Sequence, residues 1–349
     1  MTLEEVLLTV KEPDEGAMND CRKRWDSIAK PLHSLGKMED YLVKISGMTK
    51  SSNIDLAKKA LVVMCADNGV VEEGVTQTGQ EVTAIVSENF LKEQATASIM
   101  CRVAKADIFP VDIGVARDTC IINHKIAYGT RNMAKEPAMT REETIQAIET
   151  GIQMVAELKE KGYRIIATGE MGIGNTTTSS AVASVLLHTS VEVVTGKGAG
   201  LSSEGFKRKI DTIKKAIALH TPDPQDAIDV LAKVGGLDIA GLAGVFIGGA
   251  ALGVPIVIDG FISSVAALAA VNICPLAKEY MLVSHVSKEP AAHLILEALK
   301  MEAALTCDMC LGEGTGAVTL FPVLEMAAAV YNGMSTFQDI KVEEYKPLS

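Results

Sequence analysis

The chain has 349 residues and a formal net charge of −11; 48% of its residues are apolar and only 4% aromatic. It has no basic tract and no interleaving of aromatic with basic residues, so nothing in it points to counterion release from nucleic acid or to docking on anionic lipid. Abundant Ala, Val, Ile and Gly suit helices packed closely on a parallel sheet whose strands are buried on both faces. Seven scattered cysteines, an odd number, fit a reducing compartment better than a disulfide framework. The opening MTLEEVLLTVKEPDEG carries acids where a signal peptide carries Lys or Arg, so a cytoplasmic location is expected.

Residues 1 to 30 read as helical, with no strand between turns. The run ALVVMCADNGV predicts a strand at about 60 to 65, ending in Asp67-Asn68-Gly69. DIFPVDIGV predicts another near 107 to 112, closed by Asp112. The clearest helix covers 140 to 161. Thr140 and Glu143 form a capping-box pattern, and Ile145, Ile148, Ile152, Val155 and Leu158 recur at helical spacing. Gly162 stops it, and RIIAT (164 to 168) begins a strand. GEMGIGNTTTSSAVASVLL then reads as a glycine loop entering a helix, which gives a βαβ rhythm.

VEVVTGKGAG predicts a strand at about 191 to 194, followed by Gly196, Lys197 and Gly198. SSEGFKRKIDTIKKAI is a helix bearing Lys207, Arg208 and Lys209. The charge-free stretch 239 to 258 is long enough to span a bilayer, but Gly253-Val254-Pro255 breaks it. It is better read as a tightly packed Gly-rich helix and then a short buried strand, Pro255 to Ile258, ending at Asp259. YMLVSHVS predicts a strand closing on Ser284-His285, and about 320 to 345 is helical again. Because the apolar runs end in polar or glycine residues, a doubly wound parallel sheet should gather those residues on one rim, where small molecules bind.

Three stretches carry chemistry. GEMGIGNTTTSS (169 to 180) offers free amides at a helix start, a ready anion site. It lacks the Lys-Ser/Thr pair of a P-loop and the third glycine of a dinucleotide loop, so a monophosphate fits it best; an ordinary capped turn reads the same. GKGAG (196 to 200) is a second such loop, and a nearby lysine can meet a phosphate as a point charge. In CLGEGTGA (310 to 317), Glu313 stands between two glycines as a candidate general base or as a turn residue bonded to backbone amides. Cys307 and Cys310 have no second pair to complete a zinc site, and His285 and His293 have no metal spacing, so structural roles are expected for all four.

Taken together, the motifs resemble the nicotinate-nucleotide:dimethylbenzimidazole phosphoribosyltransferase family. The resemblance rests on KPLHSLGKMED (30 to 40), CADNGVVEEGV (65 to 75), VDIGV (111 to 115), GTRNMAKEPAMT (129 to 140), GEMGIGNTT (169 to 177), GKGAG (196 to 200), KVGGLDIAGLAG (233 to 244), IDGFISSVAALAA (258 to 270), SHVSKEPA (284 to 291) and LGEGTGA (311 to 317). It covers nearly the whole chain in order.

The resemblance implies a Rossmann-like α/β domain over 31–319, a small helical domain from 1–30 and 320–349, and a homodimer. It implies transfer of the 5-phosphoribosyl group from nicotinate mononucleotide to a benzimidazole nitrogen, with no metal or organic cofactor. Glu313 falls on the family's catalytic glutamate and Glu170 on its second acid. The nucleotide and phosphate site falls on Gly172, Gly174, Asn175, Thr176, Gly198, Lys209 and Ser287. Thr78, Val86, Met171 and Leu311 fall on base-facing positions.

Two motifs depart from the family pattern. His33 replaces the glycine of KP-x-GSLG, and Thr76-Gln77-Thr78-Gly79 replaces S-x-[FY]-P. Both segments are expected to line the acceptor pocket, so adenine, another benzimidazole or a phenolic base is the alternative acceptor. A nucleotide-dependent kinase and a nonenzymatic membrane protein are the alternatives from other classes.

Overall fold

The computed structural model describes residues 1–198 and 200–345. Ala199 of GKGAG and residues 346–349 of the expected terminal segment lie outside the described residues. The strands are β1 (Lys59–Ala66), β2 (Ala106–Gly114), β3 (Ile122–Asn123), β4 (Ile165–Met171), β5 (Ile256–Ile258) and β6 (Met281–Val283). The helices of the first half are α1 (Leu3–Leu7), α2 (Glu15–Ser27), α3 (Lys37–Thr49), α4 (Glu81–Leu91), α5 (Thr96–Ala104) and α6 (Arg141–Glu160). Those of the second half are α7 (Asn175–Leu186), α8 (Val191–Val194), α9 (Ser203–His220), α10 (Ala227–Val234), α11 (Leu237–Leu252), α12 (Phe261–Ile273), α13 (Ala292–Leu299) and α14 (Thr315–Gly333).

The strands form one parallel sheet in the order β3-β2-β1-β4-β5-β6. Every residue of β1 is buried, which is why KALVVMCA shows no alternation. The chain winds outward from β1 through β2 and β3, then returns to β4 on the other flank. The β1/β4 boundary is therefore the topological switch point, where a crevice opens beyond the carboxyl ends of the strands.

The helix expected over 140 to 161 is α6, with both capping-box bonds in place between Thr140 and Glu143. The charge-free run from 239 is α11 and β5, joined through left-handed Gly253 at φ 68°. Among the described residues no helix is long and apolar enough to cross a membrane. The glycines of α11 serve packing: a Cβ on Gly244 would lie 1.9 Å from Ile148 O, and one on Gly151 of α6 would lie 2.0 Å from Gly241 O. The two backbones cross in contact, as small residues allow.

One strand expectation is corrected. Residues 191–194 form α8, a single helical turn. Their β-branched composition favours a strand, but β4 pairs directly with β5 through Ile166↔Ile256, leaving no slot between them. The remaining strand is the two-residue β3, too short to leave a pattern, held by Val111↔Ile122.

The chain ends meet. Trp25 packs edge-on against Tyr331 at 5.1 Å between ring centroids, Arg24 Nη2 donates to Met334 O at 3.2 Å, and Ala29 N donates to Ser335 O at 3.0 Å. The boundary expected at 319/320 falls inside α14, which runs from the sheet rim into this terminal cluster.

His33 keeps a left-handed backbone, φ 56°, at a position where the resembled family carries glycine. That conformation costs a residue with a Cβ about 1–2 kcal/mol. His33→Gly is therefore expected to raise unfolding stability, by about 0.5–1 kcal/mol once glycine's greater unfolded freedom is subtracted; urea denaturation measures it, and a loss of stability would contradict it.

Candidate active site

A cavity of about 340 Å³ opens on this rim. It begins at the end of β4, where Glu170, Met171 and Gly172 turn into α7. Gly172 has no room for a side chain: a Cβ would fall 2.2 Å from Ala66 O. Gly174 takes φ 95° at the N-cap of α7, and this helix start has no side-chain cap. Asn175 N and Thr177 N donate back to Gly172 O and Gly174 O at 3.1 and 2.9 Å, so it is the N–H of Thr176, with the helix dipole, that favours an anion.

Lys209 reaches the same end from α9. It is 1% exposed, and its Nζ donates to Thr176 Oγ1 at 2.9 Å and to Gly196 O at 3.2 Å. Burial pushes its pKa down to about 8, against the opposing pull of Glu289. Burial also raises Glu289, which Lys209 draws back. A buried cation held by neutral oxygens, with an acid nearby, is suited to an incoming anion. Gly198, at φ 56°, and Ser287 complete this end of the wall.

The same cavity is lined by acids. Asn175 Nδ2 donates to Glu170 Oε2 and, at 3.1 Å, to Asp238 Oδ2, tying two buried carboxyls together. Burial, with the charges of Asp238 and Asp259, raises Glu170 well above the usual carboxylate range. Burial also pushes Asp238 up to about 7.

The backbone at Gly312 and Glu313 presses against Glu170. A Cβ on Gly312 would lie 2.4 Å from Glu170 Oε1, and Glu313 N donates to that same oxygen at 3.4 Å. The glycine is what lets this backbone approach Glu170. Glu313 Oε2 is buried and has no hydrogen-bond partner. Burial raises the pKa of Glu313; the N–H of Ala97 draws it down, and the charge of Asp259 lifts it further. A carboxylate with an unpartnered buried oxygen and a raised pKa is poised to take a proton.

The structure thus brings together Glu313, Glu170, the anion-site residues from Gly172 through Lys209, Ser287, and Thr78, Met171 and Leu311 of the base positions. Two expected segments stand apart from this wall. Val86 does not line this cavity: it sits within α4, which packs onto the sheet, and lies against the core. The 30–40 segment is also absent from the wall, because its contacts lie elsewhere. Glu39 accepts from Lys30 Nζ at 2.7 Å, and Lys37 Nζ donates to Ala303 O at 2.8 Å.

Sequence reasoning gave His285 an ordinary structural role, yet it lines the cavity with Asp259 and Glu289. The signal was present, since Asp259 and Ser284-His285 directly follow apolar strand runs and so belong to the rim. His293 is exposed on α13 and does not reach the cavity. Cys307 and Cys310 are exposed free thiols, Cys310 at the cavity wall. Among the described residues no cluster of His, Cys, Asp and Glu has the makings of a metal site.

A phosphoribosyltransferase family model matches residues 10–342. The chain belongs to this family. It is 51% identical to a nicotinate-nucleotide–dimethylbenzimidazole phosphoribosyltransferase of Ruminiclostridium cellulolyticum, over 100% of both chains. It is 50% identical to the enzyme of the same name from Acetivibrio thermocellus, over 99% of this chain and 98% of the relative. The crystal structure of CobT from Thermus thermophilus superposes with a TM-score of 0.89 at 35% identity, covering 95% of this chain and 100% of the other.

Proposed function

We propose that the chain transfers the 5-phosphoribosyl group of nicotinate mononucleotide to 5,6-dimethylbenzimidazole, giving nicotinate and α-ribazole 5'-phosphate for the lower ligand of cobalamin. One observation carries this reading: a single cavity is lined both by a buried lysine with a helix start and by a buried, unpartnered carboxylate.

The phosphate anchors at Thr176, Gly198 and Lys209, which orients C1 of the ribose by binding energy remote from the reacting bond. One azole nitrogen attacks C1 from the face opposite the nicotinate, so a β linkage becomes α. The C1–pyridinium bond breaks, its electron pair stays on the nicotinate nitrogen, and the positive charge is lost there. Glu313 takes the proton from the other azole nitrogen, leaving a neutral base on the ribose. Burial raises the pKa of Glu170 well above the usual carboxylate range, which disfavours a second negative charge in this site.

Thr78, where an aromatic residue is common in the resembled family, and Gly79, where proline is common, support an acceptor pocket looser than the family standard. Apolar pockets discriminate one methylene by only about 1–3 kcal/mol. In a competition of equimolar bases, benzimidazoles with fewer or different 5,6-substituents are expected within roughly 100-fold of the dimethyl compound. Phenols should lag far behind, since their attacking oxygen sits differently from an azole nitrogen. Exclusive use of the dimethyl compound would contradict the loose pocket; preferred use of a phenol would overturn the acceptor class.

We also infer a cytoplasmic homodimer. Ile85 and Leu91 of α4 and Ile99 and Val103 of α5 are exposed apolar residues on neighbouring helices, suited to pairing with a second copy. Light scattering should read twice the chain mass, and a monomer at all concentrations would refute the dimer. Fractionation of the source cells checks the compartment: recovery with the membrane or secreted fraction would refute it.

A further inference from the structure

α14 begins without a cap of its own. Gly314 stands at its N-cap and offers no side chain to the free N–H groups of the first turn. Asp259, just beyond β5, serves them from across the site. Its Oδ2 accepts from Gly314 N at 3.1 Å and its Oδ1 from Ala317 N at 2.9 Å.

Asp259 is itself held. Its N–H donates to Ser263 Oγ at 3.2 Å, and that hydroxyl lies 2.6 Å from Thr168 Oγ1 on β4. His285 closes the other side. A Cβ on Gly316 would fall 2.0 Å from His285 Cε1 and 2.9 Å from Asp259 Oδ1, so ring and carboxylate press on the same helical turn. His285 Nδ1 lies 3.0 Å from Ser284 Oγ. Both Asp259 and His285 are buried.

Glu313 immediately precedes this turn. Gly312, Glu313 and Gly314 take φ values of 90°, 62° and 84°, three left-handed residues in succession. A residue with a Cβ persists there only when its surroundings fix it. Glu170 Oε1 receives Glu313 N on one side, and Asp259 Oδ2 receives Gly314 N on the other.

We propose that Asp259, backed by His285, is a positioning residue for the transfer: by gripping the first turn of α14 it holds Glu313 with its carboxylate toward the acceptor. The proposal rests on Glu313 being the base, and the test separates the two claims. Asp259→Asn keeps the size and one acceptor oxygen. It is expected to lower kcat about 10- to 100-fold, the cost of a misplaced reacting group. KM for nicotinate mononucleotide should hold, because the anion end is built from α7, α9 and the 196–198 loop. Calorimetric binding of nicotinate mononucleotide serves as the check that the variant is folded.

The decisive reading is a cycle with Glu313→Gln. On top of Glu313→Gln, Asp259→Asn should cost no more than about 2-fold, because no base remains to be positioned. Full kcat in Asp259→Asn, or an equal loss in both backgrounds, would overturn the positioning role and leave the base assignment standing. Full kcat in Glu313→Gln would overturn the base assignment and this proposal with it. If Asp259→Asn does not fold, His285→Asn goes through the same cycle with the same non-additive pattern expected and a smaller loss; additivity there would equally overturn the proposal.

Discussion

Glu313→Gln is expected to lower kcat by about 10²- to 10⁴-fold, the span of a positioned general base. The amide keeps the shape of the carboxyl and cannot accept the azole proton. Nicotinate mononucleotide should bind as before, since the proposed phosphate anchor, Lys209 and Thr176, does not include Glu313. The pH profile gives an independent check. Glu313 must be ionised to act, and burial with the nearby charge of Asp259 raises its pKa. Wild-type kcat should therefore fall with decreasing pH on a limb lying above the ordinary carboxylate range, and that limb should vanish in the variant. Glu170, Asp238 and His285 also titrate around this site, so it is the loss of the limb in Glu313→Gln that assigns it. A variant with wild-type kcat at neutral pH would remove Glu313 from the mechanism.

Lys209→Ala is expected to weaken binding of nicotinate mononucleotide by about 10- to 150-fold, corresponding to 1.5–3 kcal/mol for a hydrogen bond to a charged group. The riboside, which lacks the phosphate, should bind weakly to the wild type and lose nothing further in the variant. The sign of the pH dependence follows from burial. Lys209 in the free enzyme has its pKa pushed down to about 8, so its charge is present below that pH and lost above it. Donor affinity should then decline as pH rises through about 8, with no corresponding change for the riboside. Equal affinity of wild type and variant for the ribotide, measured by calorimetry, would show that the phosphate lies elsewhere.

Much of this site was legible because its determinants are local. The Gly172-to-Thr176 loop announces itself by glycines and hydroxyls after an apolar run, and Glu313 by its flanking glycines. The strands β1, β2, β4, β5 and β6 are apolar runs with polar ends, which places them and their rim together. What escaped was set by neighbours distant in sequence. Residues 191–194 look like a strand and become a helical turn because β4 already pairs with β5. The place of His285 after a strand run puts it on the rim, but only the fold sets it against Gly316. The reason for Gly312 also lies outside its own motif, in Glu170, which is 142 positions earlier and occupies the space a Cβ would fill. His33 shows the converse, a backbone that keeps glycine's conformation after the glycine is gone.

The central claim is transfer of an intact phosphoribosyl group with inversion at C1. Its most direct test is nuclear magnetic resonance of the product formed from nicotinate mononucleotide and 5,6-dimethylbenzimidazole, with nicotinate release counted in the same tube. The expected result is one equivalent of nicotinate for each equivalent of the N-linked ribotide, with the anomeric proton in the α configuration. A β-linked product, or nicotinate released with only ribose 5-phosphate beside it, would contradict it.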